Sequence, residues 1–225
     1  MKGRAPVSAP VSEQAATPRG FRRRLLDGLA ASIEDRGYRE STVADIVRHA
    51  HTSKRTFYDH FSTKEECFAE LLTANNEDLV AALRDAVDAS TPWQQQVRQA
   101  VTAYVHTIDA TPAITLSWIR ELPALGEAAR PILRRGFSRL AATLTELSAG
   151  PGFRQAGVAP LSAAAAVILV GGLRELTAQT VEDGAQVAAI LEPAVAASIA
   201  LLRAGAGVGA GLAVSVDVHA PLADR

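Results

Sequence analysis

An all-α fold is what this sequence predicts, and three observations predict it. From Phe21 to Leu202 apolar residues recur every third or fourth position, the spacing of one helix face. Ser, Thr, Gly and Pro stand at the ends of these stretches, where helices start and stop. Strand-like alternation is confined to Leu212, Val214, Val216 and Val218, which have no second strand to pair with. The predicted architecture is an N-terminal three-helix domain with a helix-turn-helix, followed by a larger helical domain.

Residues 1–17, rich in Pro, Ser and Ala without periodicity, read as a disordered arm. The N-terminal domain then covers 18–63, the helical body 64–204 and a flexible tail 205–225. The first helix spans Pro18 to Arg36, with Phe21, Leu25, Leu29 and Ile33 on one stripe and Gly37 as its stop. Basic residues along it (Arg19, Arg22, Arg23, Arg24) are either phosphate contacts or a solvated outer face.

The stretch Ser41–Lys64 organises the N-terminal domain. Val43, Ile46, Val47 and Ala50 share one helix face, with Thr42 as N-cap and Asp45 in capping-box relation. Ser53 caps the next helix, in which Phe57 and Phe61 lie four residues apart and point inward. The opposite side carries Arg55, Thr56 and Asp59, flanked by Tyr58 and His60. Thr63 and Glu66 form a second capping box. Two compact helices, the second with a hydrogen-bonding outer face, suit a helix-turn-helix lying in the major groove of DNA.

Six further helices follow: Lys64–Asp88, a fifth from Pro92 to Thr111, a sixth to Leu122, a seventh over Glu127–Ser148, and two strongly apolar ones over Leu161–Val181 and Gly184–Arg203. The eighth is apolar nearly all round at its start, so burial on more than one side is expected. Gly171 and Gly172 fit there if another backbone approaches. Together with Ile190, Val195 and Ile199 they are the expected interface of a homodimer. The alternative is that both helices fill the core of one chain.

Net charge is only −1, but it is unevenly distributed. Residues 1–64 carry twelve Lys and Arg against seven Asp and Glu, net +5, and the remainder is net −6. That asymmetry suits a DNA-reading head on a body that stays off DNA. One cysteine, Cys67, excludes an internal disulfide and fits a reducing cytoplasm. The longest apolar run, Ala163–Leu173, is too short to span a bilayer, so no membrane association is expected.

The run from Thr42 to Glu66, T-V-x-x-I-V-x-x-A-x-x-S-K-x-T-F-Y-x-H-F-x-T-K-E-E, resembles the DNA-binding segment of the tetracycline-repressor (TetR) family of bacterial regulators. The resemblance covers about a quarter of the chain. It implies a homodimer joined through its last two long helices, with Thr42, Tyr58, His60 and Lys64 on the phosphate backbone. Lys54 lies in the same contact segment, and Ser53 and Thr56 serve there as cap or as contact, with capping the first reading for Ser53. Two departures stand in the turn: His51 where the family usually has Gly, and Thr52 where an apolar residue is usual.

Arg55, where relatives often have a small residue, is the candidate for base readout, since a guanidinium reaches guanine O6 and N7 in two-point fashion. Asp59 either accepts from cytosine N4 or pairs with Arg55. In the body, Val97, Val101, Tyr104, Ile108, Trp118, Ile119, Phe137 and Leu140 are expected to line a small-molecule pocket. Glu121, with His106 and Arg120, is a candidate polar anchor. No catalytic or metal-ligating constellation is present, and no cofactor is expected. The expected protein is a cytoplasmic, ligand-responsive repressor binding a palindromic double-stranded DNA operator as a homodimer and released by a small-molecule effector. The alternative is an all-helical ligand-binding or catalytic module with a vestigial DNA-binding head.

Overall fold

The computed structural model describes residues 18–208, and the expected N-terminal arm and residues 209–225 lie outside it. The described residues form ten α-helices and two short 3-10 segments, with no strand. The chain divides into two compact units, Met1–Ala74 and Asn75–Arg225. This division falls inside a helix rather than at its start, because the first turns of that helix belong to the core of the first unit.

In the first unit, α1 (Pro18–Glu40) leaves helical geometry at Gly37, φ 79° and ψ 163°, and closes with a short turn. It is followed by α2 (Val43–His49), α3 (Lys54–His60) and the beginning of α4 (Lys64–Ala86). Leu25, Leu29, Ile33, Ile46, Phe57, Phe61, Phe68 and Leu72 are each no more than 1% exposed and form the core. Burying such side chains contributes about 1.5–3 kcal/mol apiece. Cys67 is also fully buried, and burial pushes its thiol up to about 12, so it stays protonated and unreactive.

Gly28 sets how closely α1 meets α2. A Cβ there would lie 2.6 Å from the Ile46 carbonyl oxygen and 3.0 Å from the Ala50 Cβ. Gly28→Val should therefore cost about 1–3 kcal/mol by forcing the helices apart, read as a lowered denaturation midpoint of the first unit.

Two basic side chains fasten this unit. The Lys64 ammonium donates to the carbonyls of Tyr38 (3.0 Å) and Ser41 (2.9 Å) and sits 4.2 Å from the Tyr38 ring centroid. Arg22 pairs with Glu70, donates to the His60 carbonyl at 2.8 Å and stacks on Phe61.

The second unit contains the rest of α4 and α5 (Trp93–Asp109), α6 (Pro112–Arg120), a 3-10 segment (Leu122–Ala128), α7 (Arg130–Ser148), α8 (Pro151–Gln155), α9 (Ala163–Glu182), a second 3-10 segment (Val187–Ile190) and α10 (Leu191–Val208). Its core joins Leu79, Leu83, Trp93, Val97 and Val101 to Phe153, Leu169, Val195 and Leu202. Three segments depart from the sequence reading. Pro151 opens a one-turn helix rather than a loop, because Phe153 drives that turn under Trp93, ring centroids 5.9 Å apart. The last helix starts at Leu191 instead of Gly184, which takes φ 68° in the turn before it. It also continues through Val208, into the Gly/Ala run read as a linker.

By length and composition alone, Ala163–Glu182 and Val187–Ala204 are apolar enough to cross a membrane. Each packs one face into the core of the second unit.

Candidate nucleic-acid interface and ligand cavity

The turn between α2 and α3 is built by its backbone. Thr52 N–H donates to the Val47 carbonyl (3.0 Å) and His51 N–H to that of Arg48 (3.3 Å), with His51 at φ 50°. This is the left-handed helix stop that Gly usually supplies, here held by a histidine. At the next helix start, the Ser53 hydroxyl accepts from the Thr56 N–H (3.1 Å) and lies 3.0 Å from the Thr56 hydroxyl. The Thr42 hydroxyl is likewise engaged with Asp45, completing a capping box that holds the Asp45 carboxyl below its ordinary range. Thr42, Ser53 and Thr56 thus spend hydroxyl capacity on shaping the motif.

Phe57 and Phe61, 5.7 Å apart between centroids, anchor the inner side of α3. Lys54, Arg55, Tyr58 and Asp59 are exposed on its other side, Tyr58 by 59%, edge-on to Phe57. Among the described residues, Arg55 and Asp59 form no ion pair with each other or with a third group, so the face is unspent. His60 is half-buried, its ring 6.4 Å from that of Phe21. Lys64, expected on phosphate, directs two of its three N–H donors to carbonyls of its own chain, because α4 begins directly over the Tyr38–Ser41 turn, which leaves one donor for a further contact. Arg22 is committed internally in the same way.

The second unit holds an apolar cavity of about 120 Å³ that opens to the surface. Val97, Val101, Tyr104, Ile108, Trp118, Ile119, Phe137 and Leu140 all border it. Trp118 rests against Gly136, where a Cβ would come within 2.5 Å of the ring. Glu121 does not border the cavity, nor do His106 and Arg120. Their helix ends turn these polar groups outward: His106 is exposed, and Arg120 pairs with Glu175 and Glu182 on α9. Those bonds raise the Arg120 pKa and hold the Glu175 carboxyl at about 2.

The polar groups that sequence reasoning missed are Asn75, Asn76, Gln96, Thr107, Thr115, Ser148, Ser198 and Arg174. Arg174 had a legible signal, as a cation standing in an otherwise apolar run directly after Gly-Gly-Leu. Tyr104 donates to or accepts from Thr177 at 2.9 Å, and burial pushes its phenol up to about 12.

Of the expected dimer residues, two are turned into their own chain and the others are only partly covered. Ile190 (2% exposed) and Val195 (5%) face the core of their own chain, and Ile199 is half-buried against it. In helices this apolar, periodicity alone does not tell the inward face from the outward one. Gly171 is half-buried, its missing Cβ 3.9 Å from Phe137, and Gly172 opens onto empty space. The exposed apolar stripe instead runs through Ala164, Val167, Ile168 and Gly172 on α9 and Pro193, Ala196, Ala197 and Ala200 on α10. Ile168 is 63% exposed and Val167 48%, unusual for branched aliphatic side chains.

Residues 25–71 match the profile of the bacterial regulatory proteins of the tetR family. The chain is 34% identical over 93 residues to the HTH-type transcriptional activator FasR of Mycolicibacterium smegmatis, which is 41% of this chain and 42% of that one. It is 29% identical over 126 residues to the HTH-type transcriptional repressor DhaR of a Mycobacterium species, 56% of this chain and 63% of that one. The chain therefore spans only about half the length of these relatives. Among solved structures, the fatty acid degradation regulator FadR from Bacillus halodurans superposes with a TM-score of 0.64 at 20% identity, covering 80% of this chain and 94% of that one. FadR from Bacillus subtilis in complex with stearoyl-CoA gives 0.63 at 16%, covering 80% and 97%. These two likenesses concern the fold.

Proposed function

We propose, from the match of residues 25–71 to the tetR family of bacterial regulatory proteins, that this chain is a ligand-responsive transcription regulator of that family. It binds a palindromic operator as a homodimer, with α3 in the major groove, and releases it when a small molecule fills the body cavity. The observation that carries this reading is the unspent face of α3. Lys54, Arg55, Tyr58 and Asp59 project from a seven-residue helix whose opposite side is fixed by two fully buried phenylalanines. DhaR is a repressor and FasR an activator; repression is the output we assign.

The stearoyl-CoA bound by the Bacillus subtilis regulator supports a long apolar effector for a cavity of this lining. α4 supplies Phe68 and Leu72 to one core and Leu79 and Leu83 to the cavity wall, so it is the element through which occupancy would bias the head. Coupling of this kind typically amounts to about 1–3 kcal/mol. The second copy covers the exposed α9–α10 stripe, which gives the dimer its four-helix seam.

Gel shifts against the protein's own upstream region should give a sequence-specific complex that weakens steeply with salt. Absence of a specific complex at every salt concentration refutes the proposal. Arg55→Ala should relax base preference at one position per half-site, at about 1–3 kcal/mol. Lys54→Ala should weaken all sequences alike, because a flexible ammonium on phosphate reads no base. Selection on randomised duplexes separates the two, and identical losses across sequences for both would refute the division of roles.

A further inference from the structure

We propose that the body cavity takes a lipophilic monocarboxylate, with its apolar body among the α5 and α7 side chains and its carboxylate against the Arg174 guanidinium. The proposal rests on the ligand-responsive reading above and adds the chemical class of the ligand. The wall is largely aliphatic and aromatic, and Arg174 is the one charged side chain among the described residues that border it.

Nothing in the protein answers that charge by contact. Arg174 Nη2 donates to the Ile119 carbonyl at 2.9 Å, whereas its Nε is buried with no hydrogen-bond partner. The nearby carboxylates are already committed, since Glu175 and Glu182 both bind Arg120. Glu175 favours the Arg174 charge only through space, while burial and the neighbouring Arg120 charge oppose it. Arginine nevertheless remains protonated inside proteins. The result is a cation at the edge of an apolar space with a donor to spare.

Carboxylates meet guanidinium groups by accepting from two N–H groups at once. An alcohol or an ester in the same place leaves the charge unneutralised, which is how a site rejects a ligand of matching shape. Selectivity for the acid over its neutral analogues therefore follows from Arg174.

The test titrates decanoic and hexadecanoic acids, their alcohols and methyl esters, and hexadecanoyl-CoA into the full-length protein. Binding is followed by tryptophan fluorescence, Trp118 being in the wall. The acids should bind at least tenfold more tightly than their alcohols and esters. R174Q should lose that margin with alcohol affinity unchanged, and R174K should recover part of it as a charge without the planar fork. The proposal is overturned by equal binding of acid and ester, by no acid binding at either length, by a preference for the thioester over the free acid, or by R174Q keeping the acid preference. Circular dichroism verifies that R174Q folds without its bond to Ile119, and if it does not, the acid-to-ester ratio of R174K decides. An acid-selective protein that binds no DNA leaves this inference standing and sinks the regulatory one. A DNA-binding protein released only by neutral lipids does the reverse.

Discussion

Phe57→Ala should abolish operator binding while the cavity of the second unit still takes up ligand. The ring is fully buried and lies 5.7 Å from that of Phe61. Truncating such a ring costs about 3–5 kcal/mol, from lost transfer energy and the cavity left behind. Whole domains are stable by only about 5–15 kcal/mol, and small ones sit at the low end. The first unit should therefore unfold at markedly lower denaturant, visible as an early transition in far-ultraviolet circular dichroism. Tyr58→Ala, one residue along and 59% exposed, is the control. It should weaken DNA binding with the melting profile unchanged. An undiminished operator complex from the Phe57 variant would mean that α3 does not depend on that ring for its position.

Ile168→Glu should yield a well-folded monomer that no longer forms a specific operator complex. In one chain the side chain is 63% exposed, so a glutamate there is simply hydrated. Within the proposed seam the same carboxylate would be desolvated opposite its own copy without a cation, a cost of at least several kcal/mol. Sedimentation should show one chain where the wild type shows two, with an unchanged thermal midpoint at high dilution. Ile190→Glu should behave differently and unfold the second unit, since Ile190 is 2% exposed within its own core. A dimer that survives Ile168→Glu would move the interface elsewhere.

The helical plan was legible because each helix writes its pattern locally. Caps such as Thr42 and Ser53, and stops such as Gly37, act on backbone groups three or four residues away. The aromatic anchors of α3 were legible for the same reason. Contacts distant in sequence were not. Lys64 looks like a phosphate ligand in the chain, and only the fold brings the Tyr38 and Ser41 carbonyls to it, more than twenty residues away. That Val97, Val101, Tyr104 and Ile108 border one space was legible because they recur at helical spacing along α5. The polar residues around it were not, because Arg120 is drawn off by Glu175 and Glu182, which lie more than fifty residues away in the chain. In α9 and α10 apolar residues occupy nearly every side, so the sequence held no contrast from which to choose the outward face.

The chain contains three lysines, Lys2, Lys54 and Lys64, all within its first 64 residues. An amine-reactive label therefore reports on the DNA-binding end alone, with no background from the larger unit. Lys54, out in solvent, should be acylated at once. Lys64, its amine held by two carbonyls and an aromatic ring, should react only when that end opens, which turns a routine mass measurement into a clock for its breathing.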